Sequence, residues 1–211
     1  MSTKPGQLQR FRGVYDGHRT AALAGVPYST LHYWAREGIV VPSISPDRIR
    51  LWSWTDLLKL RAVTWLRKQR HVGMPRVRAL LDDIESAGLG HVPLQRLVLV
   101  SFGGDVFLRI EDKVVRLDEG RQIGVEELLD LIAPFDTGPD LLRPRPLLRI
   151  LPGKLSGQPH VEDTRIGSLN IYSLHRSGYS IADITASYPT LADAPVDQAI
   201  DLETSLDRLA A

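Results

Sequence analysis

An α+β fold is predicted by three observations on the 211-residue sequence. The first ninety residues hold short apolar-periodic helices punctuated by glycine. Residues 96 to 117 hold three short apolar or alternating runs split by "GG" and "ED". A stretch at 134 to 147, with four prolines and a glycine, then precedes a second helix-punctuated segment. The expected layout is an N-terminal winged helix-turn-helix, a small central β-meander with a helix, and a C-terminal three-helix, helix-turn-helix-like bundle.

In chain order, "DGHRTAALAGV" offers Asp16 as a helix N-cap and Gly25 as a stop, and "PYSTLHYWAREG" offers Pro27 in the first turn and Gly38 after the end. These are two short helices joined by a tight turn. On the second, Leu31 and Trp34 share a face that Leu23 and Val26 can cover, which turns Tyr28, Ser29, His32 and Arg36 toward the opposite side. A helix-turn-helix of this kind offers its second helix to a DNA major groove; a plain helical hairpin without a ligand is the alternative. "IVVPSISPDRIRLWSW" is too rich in proline and β-branched residues for a helix and fits a two-stranded wing with Arg48 and Arg50 outward. "SWTDLLKLRAVTWLRKQ" restarts a helix at Ser53 with Asp56 three residues on, and "MPRVRALLDDIESAG" gives a fourth. All four tryptophans fall in this region, where core packing is expected, with Trp54 left open.

"RLVLVSF", "DVFLRI" and "KVVRL" predict the meander, either an edge that pairs across a dimer or a cover for its own helix, "VEELLDLIAPF". The proline-rich stretch predicts a linker. Beyond it, Gly178 stops a helix, Ser180 caps the next with Asp183 three residues on, and Pro195 opens the last. The expected core there is Ile166, Ile171, Leu174, Tyr179, Ile181, Ile184, Tyr188, Leu191, Val196 and Ile200. The boundaries follow as 14–88, 92–135, linker 136–149, and 150–207.

A composition of 43% hydrophobic and 24% charged residues suits a folded protein with one or two cores. The net charge of +1 hides an asymmetry, with residues 1–90 at +7, 91–150 at −2 and 151–211 at −4. A basic front suits a phosphate-bearing partner, and an acidic rear suits something else. With no cysteine, neither disulfides nor thiolate metal sites are available. The six histidines are scattered without metal-ligand spacing, and neither a nucleophile elbow nor a phosphate-binding glycine loop occurs. No enzyme activity, metal or cofactor is expected. The start of the chain lacks an apolar secretory core and no run reaches membrane-span length, which predicts a cytoplasmic protein without a membrane partner.

Two resemblances extend this reading. "TAALAGVPYSTLHYWAREGIV", "RIRLWSWTDLLKLRAV" and "VGMPRVRALLDD" together resemble the winged headpiece of MerR-type regulators over roughly residues 14 to 86. The resemblance implies that Tyr28, Ser29, His32, Tyr33 and Arg36 face operator DNA and that Arg48 and Arg50 reach phosphates. His32 departs from the family, which usually carries arginine there, so a weaker base or phosphate contact is implied. Past residue 90 the long dimerising helix of that family is absent. Residues 150 to 205 resemble domain-of-unknown-function family 433, through Gly157, Pro159, "TRI", "GYSIADI" and "YPTL", with Asp163 where the family usually has glycine.

Family 433 is found in antitoxins, so the combination looks like a VapB-type antitoxin. That implies a homodimeric autorepressor whose rear end holds a cognate PIN-type ribonuclease toxin. Asp197, Asp201, Glu203 and Asp207 of the last helix are expected to form an acidic surface for that partner rather than for DNA. The alternative is a MerR-like transcriptional regulator, with an effector or dimerisation domain and no toxin.

Overall fold

The structure is a computed structural model that describes residues 13–68, 71–86, 97–102, 105–110, 113–116, 128–129 and 138–210. Its elements are α1 (Gly17–Ala24), α2 (Tyr28–Arg36), α3 (Trp54–Lys68), α4 (Met74–Ser86), β1 (Leu97–Phe102), β2 (Asp105–Ile110), β3 (Lys113–Arg116), β4 (Leu128–Leu129), β5 (Leu148–Arg149), β6 (His160–Val161), α5 (Ser168–Arg176), α6 (Ile181–Ser187) and α7 (Asp193–Ala210). The chain divides into two compact units, one holding residues 58–132 and the other residues 11–57 with 133–211.

In the first unit, α3 runs on from its Trp54 start, and Arg67 Nη1 donates to the Val72 carbonyl (2.7 Å) just past its end. β1, β2 and β3 pair antiparallel as the meander predicts, from Leu97↔Ile110 to Phe102↔Asp105 and from Phe107↔Arg116 to Ile110↔Lys113. The helix expected at "VEELLDLIAPF" is corrected at Leu128–Leu129, which form a strand on β1 and give the sheet order β3-β2-β1-β4. An apolar Leu-Leu pair serves a sheet edge as well as a helix, and the backbone hydrogen bonds of β1 decide between them. The remainder of that predicted helix up to residue 135 lies outside the described residues, as does Pro93.

In the second unit, the punctuation read from sequence sets α1 and α2. The Asp16 carboxylate accepts from Arg19 N (2.9 Å), and Gly25 adopts φ +70°, the left-handed conformation that closes a helix without a Cβ penalty. Gly38 does the same for α2 at φ +68°, with Ile39 N donating to Trp34 O (2.9 Å). The expected wing is narrower than its sequence suggests. A single antiparallel pair, Ser45↔Leu51, carries both of its hydrogen bonds, and Trp52 pairs instead with Tyr15.

At the start of α3, Ser53 and Asp56 form the expected reciprocal cap. Asp56 Oδ2 accepts from Ser53 N (2.8 Å), and Asp56 N donates to Ser53 Oγ (3.1 Å). The same Asp56 oxygen also accepts from the backbone N (2.9 Å) and hydroxyl (2.7 Å) of Ser43, so one buried carboxylate ties the wing's base to the helix. Asp56→Ala strands those donors, and a loss of about 2 kcal/mol is expected in denaturant unfolding.

Residues 138–149, within the predicted linker span, hold β5 and two anchors on α7. Arg145 Nε donates to Asp201 (2.6 Å), and Leu147 N donates to the Gln198 side chain (2.8 Å). β5 pairs with β6 through Leu148↔Val161 and Arg149↔His160. After β6 the turn passes through Asp163 at φ +58°, so the position that is glycine in family 433 keeps a glycine-like conformation, which aspartate tolerates better than most residues. The capping box Ser180–Asp183 forms as predicted on α6. Ile171, Ile184, Leu191 and Val196 of the expected core are buried, whereas Tyr179 is exposed.

Candidate nucleic-acid interface

α2 is amphipathic because its apolar residues fall three and four apart. Leu31, Trp34 and Ala35 are buried, as are Leu23 and Val26, the residues expected to cover them. Ser29, Tyr33 and Arg36, at i, i+4 and i+7, are exposed and form one outward stripe. Arg36 is held by its neighbours, with its guanidinium carbon 5.6 Å from the Tyr33 ring centroid and Nε 3.7 Å from Glu37. Arg48, on the wing, is exposed.

The other three residues expected at this surface behave differently. Tyr28, His32 and Arg50 are half-buried and bound to one another. His18, at the start of α1, stacks on Tyr28 with ring centroids 4.0 Å apart, and Tyr28 meets His32 edge-on at 4.3 Å. Arg50 Nη1 donates to Nδ1 of His32 (2.7 Å), and Arg50 Nε reaches the Pro46 carbonyl (3.4 Å). Arg50 therefore points back toward α2. Burial, then the Arg50 and His18 charges, hold the His32 pKa below its ordinary value, so the ring is neutral at pH 7.

Two participants were invisible to the sequence reading. His18 stood out only as one of six scattered histidines. Gly17 read as part of the helix start, yet a Cβ there would stand 2.8 Å from Tyr28 Cε2 and 3.2 Å from His32 Nε2, so its missing side chain admits both rings.

The tryptophans are structural. Trp34, Trp52, Trp54 and Trp65 are all buried, and Trp54, left open by the sequence, faces the Tyr15 ring at 6.4 Å.

The expected acidic surface of α7 is corrected at Glu203. Its carboxylate is 1% exposed, lies 2.7 Å from Arg19 Nη1 of α1, and also accepts from the Ser168 hydroxyl. Asp201 is paired with Arg145, and Asp207 accepts from Tyr172 Oη (2.9 Å). The donors of Glu203, Asp201 and Asp207 are distant in sequence, so helical spacing alone could not show them; Asp197, Asp201 and Asp207 remain exposed as expected, and only Glu203 is withdrawn. Among the described residues, no three His, Asp or Glu side chains gather as a metal site, and no helix is long and apolar enough to cross a membrane.

Comparison with known proteins matches residues 16–84 to the MerR HTH family regulatory protein model and residues 149–201 to the model for a protein of unknown function, DUF433. Three curated relatives are each 32% identical over 134 residues, covering 57% of this chain and 58% of their own. They are the uncharacterised HTH-type transcriptional regulators Mb1861 of Mycobacterium bovis and MT1879 and Rv1830 of Mycobacterium tuberculosis. The chain thus spans a little over half the length of these relatives. The fold is shared with the crystal structure of Rv2018 from Mycobacterium tuberculosis, at a TM-score of 0.53 and 16% identity over 89% of this chain and 97% of that one. The chain therefore joins a MerR-type helix-turn-helix region to a family 433 module.

Proposed function

We propose that this chain is a DNA-binding transcriptional regulator, with α2 entering the major groove and the wing beside it on the phosphate backbone. The observation that carries the reading is the exposed Ser29, Tyr33 and Arg36 stripe on α2, opposite the buried Leu31 and Trp34 face and inside the span matched by the MerR-type model. Tyr28, His32 and Arg50 supply the flank of that surface, and Arg48 supplies a phosphate contact. The net charge of +7 over the first ninety residues supports it, since each neutralised phosphate releases counterions.

A two-fold dimer follows from the same reading, because one headpiece contacts too few base pairs to select a site in a genome. The modules of the regulator are taken as 14–88, 92–135 and 150–207, with residues 138–149 docked on the last through β5 and α7. Its place of action is the cytoplasm, where the DNA is, and its role is non-catalytic.

The names of the relatives favour this regulator reading over the antitoxin reading. The burial of Glu203 against Arg19 also takes one carboxylate out of the acidic face that a basic toxin would meet, and Arg145 partly neutralises Asp201. Co-expression with the product of a neighbouring nuclease-like gene tests the antitoxin reading directly. Stable co-purification with loss of ribonuclease activity would restore it.

The DNA assignment is tested by selecting bound fragments from genomic DNA with the full chain and measuring affinity by fluorescence anisotropy. Arg36→Ala is expected to weaken the selected site by roughly 1–3 kcal/mol relative to random DNA. Arg48→Ala is expected to weaken both alike and to lower the salt slope by about 0.9. Failure to enrich any fragment, with wild-type protein folded, overturns the reading.

A further inference from the structure

The contact between His32 and Arg50 links recognition helix and wing through a donor and an acceptor whose protonation states are fixed by chemistry. A guanidinium can only donate, so the His32 Nδ1 that lies 2.7 Å from Arg50 Nη1 must be unprotonated and the neutral ring carries its proton on Nε2. That Nε2 is buried beside Gly17 and Tyr28 with no hydrogen-bond partner. The described charges that act on the ring are Arg50 from the wing and His18 from α1, with the neutral Tyr28 ring between the two histidines. A proton added at Nδ1 would place two donors and two positive charges face to face. The bond would then break, and the flexible partner, Arg50, would leave.

We propose that His32 is a positioning residue that works as a proton-operated latch: the neutral imidazole holds Arg50 against the recognition helix, and protonation releases the guanidinium to a DNA phosphate. The inference rests on the DNA-binding reading above for its consequence, though not for the latch itself. Desolvation and the neighbouring Arg50 charge keep the closed form dominant at neutral pH, and the latch opens as pH falls below the ordinary histidine value of 6.5. A phosphate near the released Arg50 favours the protonated ring, so binding draws a proton onto the protein. By linkage, a lower pH must then tighten binding.

Two measurements on the full-length chain separate the latch from the function. The first is nitrogen-15 NMR of the histidine side chains without DNA. Neutral His32 is expected as the Nε2–H tautomer, titrating below the ordinary histidine value, with the Arg50 side-chain NH signals losing exchange protection over the same pH range. An Nδ1–H tautomer, or Arg50 signals indifferent to that titration, overturns the latch whatever the protein binds.

The second is the salt dependence of binding to a random duplex at pH 7.5 and 5.5. Wild type is expected to steepen by about one phosphate contact at the lower pH, a slope change of about 0.9. His32→Gln, which still offers an acceptor but cannot titrate, loses the step. Arg50→Gln also loses it although the titrating ring remains, and His18→Ala retains it. A step that survives Arg50→Gln means that the histidine charge acts alone and overturns the proposal. An unchanged wild-type slope with DNA binding intact also overturns it and leaves the regulator reading standing. Absence of binding at both pH values sinks the regulator reading instead, and the NMR result then decides the latch.

Discussion

Glu203→Ala is expected to cost about 3–5 kcal/mol of unfolding free energy, because it leaves Arg19 as an uncompensated buried charge. Arg19 and Glu203 are 8% and 1% exposed and lie 184 residues apart in sequence, joining α1 to α7 of the C-terminal module. The Ser168 hydroxyl fills part of the remaining acceptor capacity of the carboxylate, and it also reaches the Pro159 carbonyl at 3.1 Å. Desolvating two charges is expensive, so the pair's net contribution is small even though the loss of one partner is not. Arg19→Met is expected to be comparably damaging, whereas Arg19→Met with Glu203→Leu recovers most of the loss by replacing the pair with apolar contact. The double-mutant cycle, read in urea unfolding of the full chain, should show coupling well beyond the additive sum. A single-mutant cost below about 1 kcal/mol would mean that water reaches the pair and that it behaves as a surface ion pair.

What the sequence disclosed and what it hid divide along a physical line. Asp16, Gly25, Gly38, Ser53 with Asp56, and Ser180 with Asp183 are local signals whose partners lie within four residues, and each sits where its chemistry predicts. The buried face of α2 is equally legible, because a three-and-four spacing has one geometric meaning on a helix. The Arg19–Glu203 pair has no local signature, since its meaning comes only from the docking of α1 on α7. The same holds for Arg50, which alternates with Ile49 and Leu51 and so reads as outward, while the closest acceptor to its guanidinium is a histidine eighteen residues earlier. Arg36 and Arg50 look alike as sequence letters. One lies open on the exposed stripe of α2 and the other is turned inward, so the sequence could not rank them. At Leu128–Leu129 the missing information was the neighbouring strand, because two leucines fit either a helix or a ladder.

Gly157→Ala is expected to destabilise the chain by about 2–5 kcal/mol, from two causes that a second substitution can separate. Gly157 adopts φ +79°, where an alanine pays about 1–2 kcal/mol for its Cβ alone. A Cβ there would also stand 2.1 Å from Tyr15 Oη, 2.8 Å from its Cζ and 3.0 Å from the Gly13 Cα, so the intruding methyl has backbone behind the ring and no room to turn. Tyr15 itself is fully buried, its hydroxyl has no hydrogen-bond partner, and burial raises its pKa far above working pH. Tyr15→Phe should therefore be neutral or stabilising by up to about 1 kcal/mol, since it removes an unsatisfied group without opening a large cavity. In that background Gly157→Ala loses its closest clash but keeps the backbone penalty and the ring-carbon contact, so its cost should fall without vanishing. Equal costs in both backgrounds would deny the hydroxyl any part and leave the effect to the backbone and the ring carbons. The outcome bears on the proposed DNA surface as well. Tyr15 exchanges both backbone hydrogen bonds with Trp52, two residues after Arg50, while Val14 donates to Ser156 beside Gly157 (2.8 Å). The glycine of the C-terminal module thus seats the strand on which the wing rests. Near-UV circular dichroism of the Tyr15–Trp54 pair should lose intensity in Gly157→Ala at temperatures where the far-UV helical signal is unchanged.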